Sequence, residues 1–136
     1  MRDIKFRGIN ASGIWLYGSL ITNPYDEEDV EIVDHSSVIL PRESVIPDSV
    51  GQYIGVKDCQ GTEIYEGDII SINERYFKLV RFRDDKLAFA LANVWELQNE
   101  DDWDIWQVPD EKWWNEFTLR VEGNCYDNPE LLKYKP

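Results

Sequence analysis

Turn-forming residues interrupt this chain about every eight to twelve positions, and the runs between them are short and rich in β-branched and aromatic side chains. That rhythm belongs to short strands joined by tight turns and excludes a helical bundle. The expected fold is mainly β, built of bent, coiled antiparallel sheets with few short helices.

The segments can be placed one by one. Ile4 and Phe6 alternate with Asp3, Lys5 and Arg7, which predicts a strand with one apolar and one polar face. A turn at 10–13 returns the chain into 14–21 as an N-terminal hairpin. Residues 22–29 read as a loop. Two short apolar runs follow at 30–33 and 38–40, and Pro41 and Pro47 keep the stretch between them from being a central strand. Residues 52–56 are extended, 58–61 form a turn in which Gly61 can take a positive φ, and Gly67 bends the chain into 69–72. Strands are expected at 75–82 and 87–94, around a tip at Asp84 and Asp85. Phe117, Leu119 and Val121 alternate with Thr118, Arg120 and Glu122 and supply a strand that closes this meander into a small barrel. Short helical turns are expected at 109–115 and 128–132, each carrying Pro and acids where a first helical turn favours them. The chain reads as one domain over 1–136. Residues 1–48 form a hairpin and loop region, and 49–136 form the small-barrel region with an acidic, Trp-rich insert at about 95–116.

Charge narrows the partners. Fourteen Lys and Arg stand against twenty-seven Asp and Glu, for a net charge of −13, so the molecule as a whole repels phosphate backbones and anionic membranes. Asp26, Glu27, Glu28, Asp29, Glu31 and Asp34 form one stretch without a basic residue, and Glu96, Glu100, Asp101, Asp102, Asp104, Asp110 and Glu111 form another. Their thirteen acids equal the net charge, which leaves a near-neutral body carrying two acidic loops. Neither stretch has the alternating order of a calcium loop. Mean hydropathy is −0.49, no apolar run approaches the roughly 20 residues of a membrane span, and no basic-then-apolar leader follows Met1. A soluble protein of a bacterial cytoplasm is expected, with no membrane partner.

The stretch 51–58, then Gly61, then 63–70 with its Tyr65-Glu66-Gly67-Asp68 core, resembles the signature of the YopX family of phage and prophage proteins. The opening at 1–7 and the ending at 121–132, with Asn128-Pro129, resemble that family's opening and ending in the same order. The resemblance implies a mostly β protein with an SH3-like small barrel in its C-terminal part, encoded by a phage or prophage. It implies no known reaction, and so no catalytic residues to carry over. The matched positions Tyr53, Gly55, Asp58, Gly61, Tyr65, Glu66, Gly67, Asp68, Asn128 and Pro129 have structural explanations as turn, bend and helix-start residues. The segment 95–116 departs from the signature.

Motifs for chemistry are sparse. Cys59 and Cys125 lack a Cys or His at metal-ligand spacing, and whether they pair is open. His35 is the one histidine, set in a turn and beside no evident partner Cys, and the Gly-rich phosphate loops and the Gly-x-Ser-x-Gly elbow are absent. No cofactor or metal is called for. Glu63, Glu66 and Asp68 offer carboxylates within one bend, the basis of an enzyme alternative. Trp95, Trp103, Trp106, Trp113 and Trp114 crowd the acidic insert. Trp106, Trp113 and Trp114 are expected to fold inward as a second small core, and any exposed indoles would suit a partner interface. Arg75, Lys78, Arg81 and Arg83 mark the 75–86 hairpin as a candidate nucleic-acid surface, although nearby Glu74, Asp84, Asp85 and Glu96 largely neutralise it. The expectation is a non-catalytic binding or protein-interaction module, self-associating or with an unidentified protein partner. The rivals are an acidic decoy of a host DNA-binding protein, a nucleic-acid binder and an enzyme.

Overall fold

The computed structural model describes residues 3–36, 38–39, 41–99 and 103–133, without the side chains of Asn99 and Trp103. Ser37, Leu40, Glu100, Asp101, Asp102 and the interaction surface expected of Trp103 therefore lie outside the described residues. The chain divides into two compact units, Met1–Gly55 and Val56–Pro136.

In the first unit β1 (Phe6–Ile9) pairs antiparallel with β2 (Trp15–Asn23), and the Asn10 carboxamide closes the turn between them by accepting from the Ser12 and Ile14 amides. The chain turns again at Pro24 and Tyr25 into β3 (Asp26–Asp34), which pairs with β2. Residues 22–29, expected as a loop, are thus the end of a long hairpin. Val30 and Ile32 point inward from β3 and hold it against the sheet, while Asp26 to Asp29 stay exposed along its first half. The three-residue β4 (Arg42–Ser44) runs along β3, with Arg42 ion-paired to Glu31 at 3.0 Å, in the edge role that the flanking prolines require. Val38 and Ile39 are exposed and outside any strand.

The core of this unit is Val30, Ile32 and Val45, with Phe6, Leu16, Leu20 and Val50 packed against it. Phe6 faces inward as its alternation requires. The opposite face of β1, which carries Arg7 and Ile9, is buried as well, and both edges of β1 are paired, with β2 and with β5 (Gly51–Lys57). Arg7, expected on a polar face, is 7% exposed, and its guanidinium lies 4.8 Å from the Trp15 ring centre. The strand order within the first unit is β4-β3-β2-β1-β5, and the short β6 (Glu63–Tyr65) opens the second unit's strands.

The second unit is built on a four-stranded antiparallel sheet of order β10-β7-β8-β9, formed by β7 (Asp68–Ile72), β8 (Tyr76–Arg83), β9 (Ala88–Asn93) and β10 (Leu119–Asn124). All five residues of β7 are buried. The mainly β expectation holds, but the sheets are not closed into a barrel. The strand expected to close the meander lies on β7 as β10, and its outer edge is taken by other groups: Cys59 N–H donates to Leu119 O, and Val121 N–H donates to Asp58. At the opposite edge, Leu91 on β9 exchanges two backbone hydrogen bonds of 2.8 Å with Gln107. Backbone groups engaged in this way are not available to pair one edge with the other.

One face of this sheet carries Ile69, Leu79, Ala90 and Ala92, which form a core with Val94 and Trp106. The acidic insert follows β9 through 3₁₀ turns at Val94–Asn99 and Trp103–Ile105, neither expected from sequence. It continues into the short α1 (Glu111–Glu116), whose first turn is capped by Asp110 accepting from the Trp113 amide at 2.9 Å. The final expected turn is a 3₁₀ helix, Pro129–Lys133.

Candidate functional site

Strand alternation decides where the residues of the basic hairpin go. Leu79, Arg81 and Arg83 share one face of β8, and Tyr76 and Lys78 share the other. Arg83 stacks 5.0 Å from the Trp106 ring centre and ion-pairs with Asp85 at 3.0 Å. Arg81 donates to Cys125 Sγ at 3.5 Å, and Arg75 lies 5.7 Å from the Tyr76 ring centre. The four cations grouped in sequence are thus divided between two faces of the sheet.

Lys78 stands in an open cleft of about 300 Å³ in the second unit, lined by Ile72, Tyr76, Lys78, Asn93, Trp95, Gln107, Trp113 and Phe117. Each wall has a local cause. Lys78 and Asn93 are register partners across β8 and β9, and so stand side by side. Gln107 is held by its backbone bridge to Leu91. The capped turn of α1 presents Trp113, whose ring centre lies 5.1 Å from Phe117 and 5.3 Å from Trp114 in an edge-to-face contact. Trp95 is half-buried and also packs on the sheet core. Of the insert's tryptophans, Trp106 is core, Trp95 and Trp113 wall the cleft, and Trp114 is half-buried beside Trp113.

Two polar side chains line this cleft without a hydrogen-bond partner among the described residues, half-buried Lys78 and exposed Gln107. Burial pushes the Lys78 ammonium below its ordinary value, and the Glu96 charge opposes that only in part. Glu96 itself accepts from the Asn93 carboxamide at 2.9 Å. Among the described residues, Lys78 makes no side-chain hydrogen bond and no ion pair within 4 Å, and the Gln107 carboxamide makes no hydrogen bond. A half-buried ammonium without a contact partner is a cost that a purely structural lysine would avoid.

A second cleft, of about 380 Å³, lies in the first unit among Lys5, Trp15, Tyr17, Ser19, Asp34 and His35. Here the polar groups satisfy one another. His35, in a turn as expected, bonds Ser19 Oγ through Nε2 at 2.6 Å. Asp34 accepts from the hydroxyl and amide of Ser36, which holds its carboxyl below the ordinary value with a smaller contribution from His35. Among the described residues, the other ring nitrogen of His35 makes no hydrogen bond, so Ser19 and His35 form a pair and not a triad.

The residues of the signature work as turn locks. Asp58 is 8% exposed and accepts from the Gln60 and Thr62 amides through one oxygen and from Val121 through the other. Burial pushes its carboxyl up, but the donors from Val121, Thr62 and Gln60 outweigh this and hold it below the ordinary range. Asp68, fully buried, accepts from the Tyr65 amide, Glu63 accepts from the Tyr65 hydroxyl, and Glu66 accepts from the Phe82 amide. Two of the three acids of the enzyme alternative therefore hold Tyr65 and the third holds Phe82 on β8, and neither cleft is lined by them. Gly55, Gly61 and Gly67 have positive φ, Tyr53 and Tyr65 are buried, and Asn128, just before Pro129, accepts from the Asn124 amide. Asn128 lies where a Cβ on Gly123 would stand. Cys59 and Cys125 are free thiols. Among the described residues, no three His, Cys, Asp or Glu are grouped to hold a metal ion, and no helix is long and apolar enough to cross a membrane.

The family model described as YopX protein matches residues 5–133, nearly the whole chain. The chain belongs to the YopX family. This YopX-family chain is also similar to a solved structure, the crystal structure of protein EF1440 from Enterococcus faecalis. The TM-score is 0.51 at 19% identity, over 97% of this chain and 99% of that one. At that identity the likeness concerns the fold. No curated protein matches the sequence. The locks at Asp58, Gly67-Asp68 and Asn128 all fall within the matched YopX residues, as do both clefts except for Ile4 in the first.

Proposed function

We propose that this YopX-family protein is a non-catalytic binding module that acts by protein contacts in the cytoplasm of a bacterium carrying the phage or prophage that encodes it. One observation carries the proposal: in the cleft of the second unit, Tyr76, Trp95, Trp113 and Phe117 surround a lysine and a carboxamide that make no side-chain hydrogen bond among the described residues. Aromatic walls with a few convergent polar groups are what recognition sites use. The Ser19–His35 pair favours catalysis less, because among the described residues no third group orients its imidazole, and the bend carboxylates are bonded to Tyr65 and Phe82 and line neither cleft.

The test is affinity capture from bacterial lysate at low and high salt, using the wild type and Trp113→Ala, with light scattering of the purified protein to count copies. A partner, or a second copy, held by the wild type and lost by Trp113→Ala supports the reading. Capture indifferent to Trp113→Ala and to Lys78→Gln contradicts it. A second reading, the acidic decoy, is favoured by Asp26 to Asp29, four exposed acids in a row on β3. It predicts capture of a DNA-binding protein that fails at high salt, where exposed charges are screened.

A further inference from the structure

The geometry points to the class of group that the second-unit cleft accepts: a single aromatic ring carrying a carboxylate, with the ring against Trp95, Trp113 or Phe117 and the carboxylate on the Lys78 ammonium. This inference rests on the cleft reading above and adds the chemistry of the occupant.

Three features select that chemistry. Lys78 is the one charged residue of the lining, it lies beside Asn93 on β8 and β9, and the nearest acid, Glu96, is already bonded by the Asn93 carboxamide. The positions left open at the polar end are the three N–H bonds of Lys78, the carboxamide of Gln107 and the oxygen of Asn93, so donors outnumber acceptors and the charged group is a donor. Donors call for an acceptor, and a partly desolvated ammonium with no ion pair within 4 Å among the described residues calls for an anionic one, which restores the favourable interactions lost on burial. The remaining walls are aromatic, and flat rings meet them in stacked or edge-to-face contact. The net charge of −13 selects among anions. Long-range repulsion weighs more on a doubly charged phosphate than on a single carboxylate, so the carboxylate is the better fit. Two sources present this group: the C-terminal aromatic residue of a polypeptide, and a free aromatic acid.

The probes are N-acetyl-L-phenylalanine, its carboxamide and phenylacetate, titrated into the ¹⁵N-labelled protein while the tryptophan indole N–H resonances are followed. The expected result has four parts. N-acetyl-L-phenylalanine shifts the Trp95 and Trp113 resonances and leaves Trp15 in place. It binds roughly tenfold or more tighter than its carboxamide, the scale of one charge-assisted hydrogen bond. Lys78→Gln removes that difference without changing the affinity for the carboxamide, and Lys78→Arg, which keeps the charge, retains part of it. Phenylacetate matching N-acetyl-L-phenylalanine favours free aromatic acids as the source, and much weaker phenylacetate binding favours a chain terminus. Equal binding of acid and carboxamide in the cleft overturns the inference and leaves the cleft reading in place. No shift at Trp95 or Trp113 with any probe also overturns the inference, and the capture comparison then decides the cleft reading separately. An acid preference that persists in Lys78→Gln overturns it as well.

Discussion

The two clefts are similar in size and differ in what their polar atoms are doing. In the first unit Ser19 is bonded to His35 and Asp34 to Ser36, and Lys5 lies 5.9 Å from the Tyr53 ring centre. In the second, Lys78 and Gln107 make no side-chain hydrogen bond among the described residues and the walls are rings. Volume alone would rank the first cleft higher. Hydrogen-bond accounting reverses the order, because a site awaiting a ligand shows its capacity as polar groups not yet satisfied.

Four substitutions sharpen or break this contrast. The largest effect is expected for Trp106→Ala, which removes the buried anchor of the insert that supplies Trp113 and Phe117. We expect a loss of about 3–5 kcal/mol in denaturant unfolding, together with loss of binding at the cleft. A loss below about 1 kcal/mol would mean that the insert is held by other contacts. Next comes Asp58→Asn, which keeps one acceptor oxygen but replaces the other with a donor, leaving either Val121 or the 60–62 turn without its bond. About 1–3 kcal/mol should be lost at neutral pH. Because the folded pKa of Asp58 is lowered, its contribution is fully present above the ordinary carboxylate value of 3.8 and is lost as pH falls through the lower folded value. The variant should therefore show a shallower loss of stability in acid than the wild type. An identical acid limb in both proteins would remove Asp58 from the account.

His35→Ala breaks an exposed hydrogen bond and should change stability by less than about 1 kcal/mol, with cleft binding in the second unit unaltered. If capture of the partner fails in this variant, the ranking of the two clefts is wrong. The smallest effect on stability, and one of opposite sign, belongs to Lys78→Met. Burial lowers the folded pKa of Lys78, so its charge opposes folding below that value and the penalty fades only as pH rises towards the unfolded value. The variant should match or slightly exceed the wild type in thermal midpoint at neutral pH while losing binding of the acid probe. A clear fall in midpoint would make Lys78 a structural residue.

Much of the sheet was legible in the sequence, because β-branched runs such as 69–72 and turn residues such as Asn10 and Gly61 act locally. The second half of the β2–β3 hairpin was not. Four consecutive exposed acids mask the Val30 and Ile32 alternation that holds β3 in place, and only pairing with the nine residues of β2 reveals it. The 3₁₀ turns are too short for a periodic signal. For the candidate site, the tryptophans and the basic hairpin were visible as residues, and the division of Lys78 from Arg81 and Arg83 follows from their even and odd positions on one strand. What brings Trp95, Gln107 and Trp113 to Lys78 is the backbone bridge between Leu91 and Gln107 and the Asp110 cap, and the bridge is a long-range pairing that leaves no pattern in sequence. The Ser19–His35 bond is hidden for the same reason, since it spans the β2–β3 hairpin.

The most direct test of the cleft as the binding surface is hydroxyl-radical footprinting of the free protein against the captured complex, read residue by residue. The account predicts protection of Trp95, Trp113 and Phe117, with Tyr17 and His35 labelled as in the free protein. Protection of Tyr17 and His35, with the aromatic walls of the second cleft labelled as before, would contradict it.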